Sequence, residues 1–553
     1  MIGLPKLLSR VLLACGVLGI LSTGGCAAAR PRPPGLYLHA IQFDQDGTTL
    51  DPRDGRRFSD AQTAWQFLAI FNHIDETSQG RSKRKVLIFV HGGLSQPADA
   101  LDRAVAQWQQ MEQSHADWYP LFVIWNSSLE ATYGEHLFAI RQGREDADTR
   151  AAARFTWPLY LFSDVLRALA RAPTVWAQQR HTDDQAAAAA FRSIQSYEQA
   201  KHAATQPADA GEYAQVWMRH PRNVDTLAFF VELNRQYRCH PKSAIAISIG
   251  RDHSLPSDWA GRGTAYVLTL PFKMLTAPII DAFGVAAWRN MARRTQTIIE
   301  GSSDFVVRRS TDQKAIENYV DRGTDGGLDH FILLLSERAH LKGAQTRPYE
   351  ITLVGHSMGS MVINELLRRQ MRRENQRDPG LRATPLPVKN IVYMAAACSV
   401  RDFADSVIPF MQKTDHQDVH FYNLCLHPTA EEIETNFNDL PPRGSLLCWL
   451  DDFLAEPATP LDRTLGRWEN FVRAPYVVPV GLRGRVSVKA FDLNRDPSKW
   501  WDGSNSQPQH HVDFSSAPYW MECFWRPAAP LPPDHPRLRA AEQIGGHRAP
   551  RCE

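Results

Sequence analysis

Ile351-Thr352-Leu353-Val354-Gly355-His356-Ser357-Met358-Gly359 is the stretch that decides the fold. Four residues of strand-forming character run into G-x-S-x-G. An apolar helical pattern then leaves it, with Val362, Ile363, Leu366 and Leu367 on one face before Arg368 and Arg369. A strand, a sharp turn and a helix in that order make a nucleophile elbow. A turn this tight forces the serine into a strained backbone conformation, and a side chain at Gly355 or Gly359 would collide with the elements packed on it. The turn lifts the Ser357 hydroxyl clear of the sheet and turns the Met358 backbone N–H towards a reacting oxygen.

Working outward, Val86-Leu87-Ile88-Phe89-Val90 is a run of five apolar, mostly β-forming residues, as expected of a buried parallel strand. It ends in His91-Gly92-Gly93. Ligands of open α/β sheets sit at the carboxyl ends of strands, so this loop is a candidate source of a second oxyanion-stabilising N–H. A Gly-Gly turn that merely closes the strand is the plainer alternative. Leu121-Phe122-Val123-Ile124-Trp125 reads as the next strand, with a helix over Ala98–Met111 before it and Pro97 where a helix start tolerates proline. Ala61–Ile74 also reads as a helix, with Trp65, Leu68, Ala69 and Phe71 at helical spacing. Tyr37–Phe43 and Thr48–Leu50 flank Asp44-Gln45-Asp46-Gly47 as a hairpin.

These segments resemble the α/β-hydrolase superfamily. The resemblance rests on the His91-Gly92-Gly93 strand, the strand ending at Trp125, the Gly355–Gly359 elbow and a late histidine, over roughly residues 80–145 and 310–515. It implies an α/β fold with a mostly parallel sheet flanked by helices, and a serine esterase or lipase whose chain order is serine, acid, histidine. Ser357 is then the nucleophile, with Met358, Gly92 and Gly93 forming the oxyanion hole. In Gln509-His510-His511-Val512-Asp513-Phe514, His511 is the expected base and His510 the reserve. The acid is Asp402, after the strand Asn390–Met394, or Glu431, after the strand Val419–Cys425. Glu431 also suits a helix start, where an acid favours the dipole. The sequence leaves both open. Val486–Phe491 reads as the last strand.

The 553 residues exceed one minimal domain, and more than 200 of them separate the Trp125 strand from Ser357. A structureless loop of that length is not credible in a compact fold. Alanine-rich stretches and Trp157, Leu159, Leu161, Leu166 and Leu169 predict a large, mainly helical cap or lid over 143–310, between core halves at 36–142 and 311–525. Within it, Thr264–Trp288 carries only Lys273 and Asp281 as charges. A transmembrane helix is disfavoured, since each charge costs about 2.5–3.5 kcal/mol at a helix centre and Pro271 and Pro278 interrupt the run. A buried helical hairpin and a lid that touches lipid both fit.

The amino-terminal 1–25 reads as a signal peptide. Lys6 and Arg10 precede the apolar Val11–Leu21, and Thr23-Gly24-Gly25-Cys26 follows. Small residues before a cysteine resemble a bacterial lipoprotein cleavage box, which implies lipidation at Cys26, a tether over 26–35 and anchorage in an envelope membrane, the outer membrane for a cell that has one. Cleavage after Ala29 and simple secretion is the alternative. Residues 526–553 form a proline-rich tail. The net charge of +2 gives no field to recruit nucleic acid. No C-x-x-C or zinc-spaced histidine pair occurs, so neither metal nor other cofactor is expected. The expected function is cleavage of a small-molecule or lipid ester in the cell envelope. The alternative is a lipoprotein whose hydrolase-like body is a non-catalytic binding or scaffolding module.

Overall fold

The computed structural model describes residues 32–140, 155–176, 245–249, 256–301, 326–340, 347–376, 383–435, 441–472, 477–491, 493 and 508–526. The signal peptide, Cys26 and the proline-rich tail beyond Arg526 lie outside them. Nine strands form one sheet: β1 Ala40–Phe43, β2 Thr49–Leu50, β3 Arg84–Val90, β4 Tyr119–Trp125, β5 Ala246–Ile249, β6 Tyr349–His356, β7 Val388–Met394, β8 His420–Cys425 and β9 Val486–Ala490. Their order is β2-β1-β4-β3-β6-β7-β8-β9-β5. Every pairing is parallel except β1 with β2, the expected hairpin. Asp44 Oδ1 accepts the N–H groups of Asp46 and Thr48 and so holds that turn, and Gly47 closes it at φ +79°.

The central strands are the continuous apolar runs of the sequence because helices cover both faces of a parallel sheet. β4 is buried along its whole length. The longer flanking helices are α1 Asp60–Thr77, α2 Pro97–Gln113, α3 Leu129–Phe138, α4 over 155–176, α5 Pro256–Glu300, α6 Gly327–His340, α7 Gly359–Glu374 and α8 Val400–Gln412. Their starts are marked in the sequence: Ser59 and Gln62 make a capping box for α1, and Pro97 opens α2. Of the spaced set Trp65, Leu68, Ala69 and Phe71 in α1, Phe71 alone is buried. Phe67, Ile70, Phe71 and Ile74 face the core, whereas Trp65 and Leu68 are exposed. Two apolar stripes compete on this helix, and the phase that meets α6, through Phe67 and Phe71 against Phe331, wins.

The stretch 143–310 is not wholly helical. It contributes β5, which pairs with β9 at the sheet edge. Thr264–Trp288, read from the sequence as either a buried helical hairpin or a lid that touches lipid, is part of one continuous helix, α5, with Pro271 and Pro278 inside it. Pro278 has no N–H to give the carbonyl of Met274 four residues back, and the Trp176 indole N–H of α4 donates to that carbonyl instead, at 2.6 Å. α5 is long and apolar enough to cross a membrane. Its carboxyl-terminal half is core, however, with Ala282, Val285, Ala287, Met291 and Ile298 buried. Asn290 Nδ2 donates to the carbonyls of Thr132 and Ile140, and Arg293 and Arg294 pair with Glu135 of α3.

Candidate active site

Ser357 stands at φ +51°, between the end of β6 and the start of α7. That left-handed conformation is costly for a residue with a side chain, so the surrounding packing must impose it. Both elbow glycines are required by close approach. A Cβ on Gly355 would lie 2.9 Å from the Gly359 carbonyl carbon, and one on Gly359 would run into the Val90 carbonyl of β3. The serine's own N–H donates to Met394 O at the end of β7, at 2.9 Å, and its carbonyl accepts from Ala397 N. The turn is therefore stitched to the neighbouring strand. The Ser357 hydroxyl is buried with no hydrogen-bond partner among the described residues.

The loop after β3 lies directly against the elbow. A Cβ on Gly92 would fall 2.8 Å from Ser357 Cβ, and one on Gly93 would fall 2.5 Å from Met358 Sδ. Only glycine permits that approach. His91 shapes the loop rather than the chemistry. Its Nε2 accepts from Trp125 N at 3.1 Å, so its Nδ1 carries the proton and donates to Gly92 O at 2.7 Å. Burial holds its pKa down at about 3, which keeps that tautomer neutral. Ser127 Oγ also donates to Gly92 O, while Leu94 N donates to Ser127 O. Arg103 Nη2 donates to Ser95 Oγ at 2.8 Å. Nothing in the sequence marks Ser127 or Arg103, because neither sits in a recurrent motif.

The histidine loop reaches the same place by aromatic packing. Tyr519 stacks on Phe89 of β3 at 4.4 Å and donates its hydroxyl to Gln107 of α2. A short 3-10 turn, His511–Ser516, follows His510. Asp513 accepts from the Gln509 and His510 N–H groups and lies 3.4 Å from His510 Nδ1, which fixes the turn and draws the His510 ring to its outer side. His511 points inward. Its ring centroid is 5.2 Å from that of His356, whose Nε2 donates to the His511 carbonyl at 3.1 Å. His356 in turn would touch a Cβ on Gly92. Both ring nitrogens of His511 are buried without a partner among the described residues, and burial pushes its pKa well below the ordinary imidazole value. The Ser357–His511 hydrogen bond is thus not made; such bonds often tighten only around the substrate.

The two acids expected from sequence are engaged elsewhere. Asp402 lies in the first turn of α8, where it pairs with Arg368 at 2.5 Å and accepts from Asn364, both on α7. Glu431 lies in the short helix Pro428–Ile433 after β8, and one of its oxygens accepts from Ser445 Oγ while the other has no partner. The carboxylate that meets the histidine segment is Glu434, whose Oε2 accepts from His511 N at 3.0 Å. Its pKa is raised to about 7, by burial above all. The register of the one-turn helix decides this: Glu431, Glu432 and Glu434 are all buried, and only the packing of that turn selects Glu434.

Among the described residues no group of three or more His, Cys, Asp or Glu side chains is arranged to hold a metal ion. Cys398, Cys425 and Cys448 are buried free thiols and Cys523 is an exposed one. What the cluster offers is a strained serine, a neutral imidazole and a buried carboxyl group beside a glycine loop. The chain matches no family model, no curated protein and no solved structure.

Proposed function

We propose that the protein is an exported serine hydrolase that cleaves carboxylic esters, with an α/β-hydrolase arrangement of its sheet. The observation that carries the reading is the Ser357 hydroxyl, buried without a partner at φ +51° and held against Gly92 in one cluster with a buried, unpartnered His511. Ser357 Oγ attacks the acyl carbon and its proton passes to His511. The Met358 N–H and the Gly92-Gly93 loop hold the developing oxyanion, an effect worth about 2.7–4 kcal/mol per donor in comparable sites. His511 returns the proton to the departing alcohol, and water then releases the acid by the reverse sequence. Glu434 takes the place of the acid. It acts in its ionised form, available at a pKa of about 7: the carboxylate that accepts from the His511 backbone N–H stabilises by its charge the imidazolium formed when His511 takes the serine's proton. Cys26 carries the lipid that holds the enzyme in the envelope.

The full burial of Ser357 also suits a binding or scaffolding module. A fluorophosphonate probe separates the two readings, because it reacts with activated serines and not with ordinary ones. Labelling of the wild type, lost in Ser357→Ala together with turnover of a short acyl ester, is the expected result. An unlabelled, folded wild-type protein would favour the scaffold.

A further inference from the structure

Helix α4 and the stretch 268–281 of α5 carry their charges on the inside and large apolar side chains on the outside. More than half of the positions of α4 are exposed, and none of the exposed ones is charged. Phe155 is 85% exposed, Leu159 67%, Phe162 60% and Leu169 67%. The same holds where α5 comes alongside: the exposed positions from 268 to 275 are Leu268, Pro271, Phe272, Met274 and Leu275, while Lys273 is buried and donates to Thr269 Oγ1. The ions where the two helices meet point into the protein. Asp281 of α5 is 0% exposed and lies 2.9 Å from Arg171 of α4, and Arg167 and Arg171 both reach Glu456. Water-facing helices have the opposite polarity.

We infer that this face inserts into the hydrocarbon boundary of a lipid bilayer, with α4 lying in the membrane plane. Three features select lipid over a protein partner. The uncharged face takes in more than half of the positions of α4, which is broader than the a/d seam a second helix would cover. It has basic residues only on the opposite face, the pattern of interfacial helices. Two of its polar groups are also satisfied inside the helix pair, as hydrocarbon demands: Trp176 Nε1 donates to Met274 O and Thr276 Oγ1 to Phe272 O. The face does not depend on a lipid at Cys26. Phe138 of α3 extends it by packing on Trp157 at 5.6 Å, and Asn290 and Arg293 tie α5 to α3 through Thr132 and Glu135.

The test uses the full chain with Cys239→Ser, Cys523→Ser and Cys552→Ser and a single new cysteine, Leu159→Cys, Phe162→Cys or Phe272→Cys, labelled with a polarity-sensitive fluorophore. Gln113→Cys, exposed on α2, is the control. Vesicles of phosphatidylethanolamine and phosphatidylglycerol are added with or without lipids spin-labelled at mid-chain. The expected result is a blue shift at positions 159, 162 and 272 and at least twofold quenching by the spin-labelled lipid, with position 113 unchanged. Emission at the three positions that ignores the vesicles would overturn the inference. So would emission that is already blue-shifted and is not quenched by the spin label, because a second copy of the chain or another protein surface would then cover the face.

Discussion

In the proposed site burial acts in opposite senses on His511 and Glu434, so the substitutions that test them can be kept apart. Glu434→Gln should lower acylation by about 10³–10⁴-fold if its carboxylate stabilises the imidazolium. Asp402→Asn, which loosens a partly exposed pair with Arg368, should leave the rate nearly unchanged and cost about 1 kcal/mol or less of stability. Single-turnover rates beside thermal midpoints check both, and the reverse pattern would return the acid to Asp402. Stability should also follow the buried glutamates. Folding raises the pKa of Glu431 to about 8 and that of Glu434 to about 7 from 4.5. Both are protonated in the folded and unfolded states below about pH 4, where their contribution is fully present. From there to about pH 8 the unfolded chain releases its protons first, so stability falls as pH rises. The Glu431→Gln protein should therefore lose less stability than wild type between pH 5 and 9, by on the order of a few kcal/mol in denaturant titrations. A parallel pair of pH profiles would show that Glu431 is not buried as a neutral acid.

At the scale of elements, the elbow and the helix pair differ in how much freedom their glycines have. Gly359→Ala drives a methyl group into the Val90 carbonyl, where strand β3 cannot yield, and should abolish soluble expression. A methyl group on Gly134, in the middle of α3, would meet nothing within 4 Å. Gly134→Ala should stabilise the protein by about 0.5–1 kcal/mol through the reduced entropy of the unfolded chain. Chemical denaturation of the two variants measures the contrast, and an unaffected Gly359→Ala protein would contradict the packing of the turn. Element starts are legible in the sequence wherever a cap or a proline marks them, as at Ser59 and Pro97. Continuity is not. The proline at 278 reads as a break in one dimension, and only the Trp176 indole, 98 residues along the chain from Met274, explains why the helix runs on.

For the whole molecule, the described chain begins where Arg32 meets Asp102 of α2 at 3.6 Å, and Leu36–His39 leads into the start of β1. The serine, the glycine loop and the histidine turn lie at the strand-finishing end of the sheet. If the amino-terminal segment is a lipoprotein signal, metabolic labelling with a fatty acid should tag the wild-type protein and not Cys26→Ser. An untagged wild type with a mature end at Arg30 would mean simple secretion.

The sequence by itself determined the alternation of strands and helices, the elbow and the glycine loop, because apolar periodicity and the steric demands of glycine act over a few residues. It also placed a histidine after the last strand of the carboxyl-terminal half. Tertiary structure alone decided which acid meets that histidine, which stripe of α1 is buried, and that 143–310 lends a strand to the sheet. Each of these depends on contacts between segments far apart in the chain. Glu431 and Glu434 differ by less than one helical turn, and nothing local distinguishes them until β8 and the His511 turn are packed side by side.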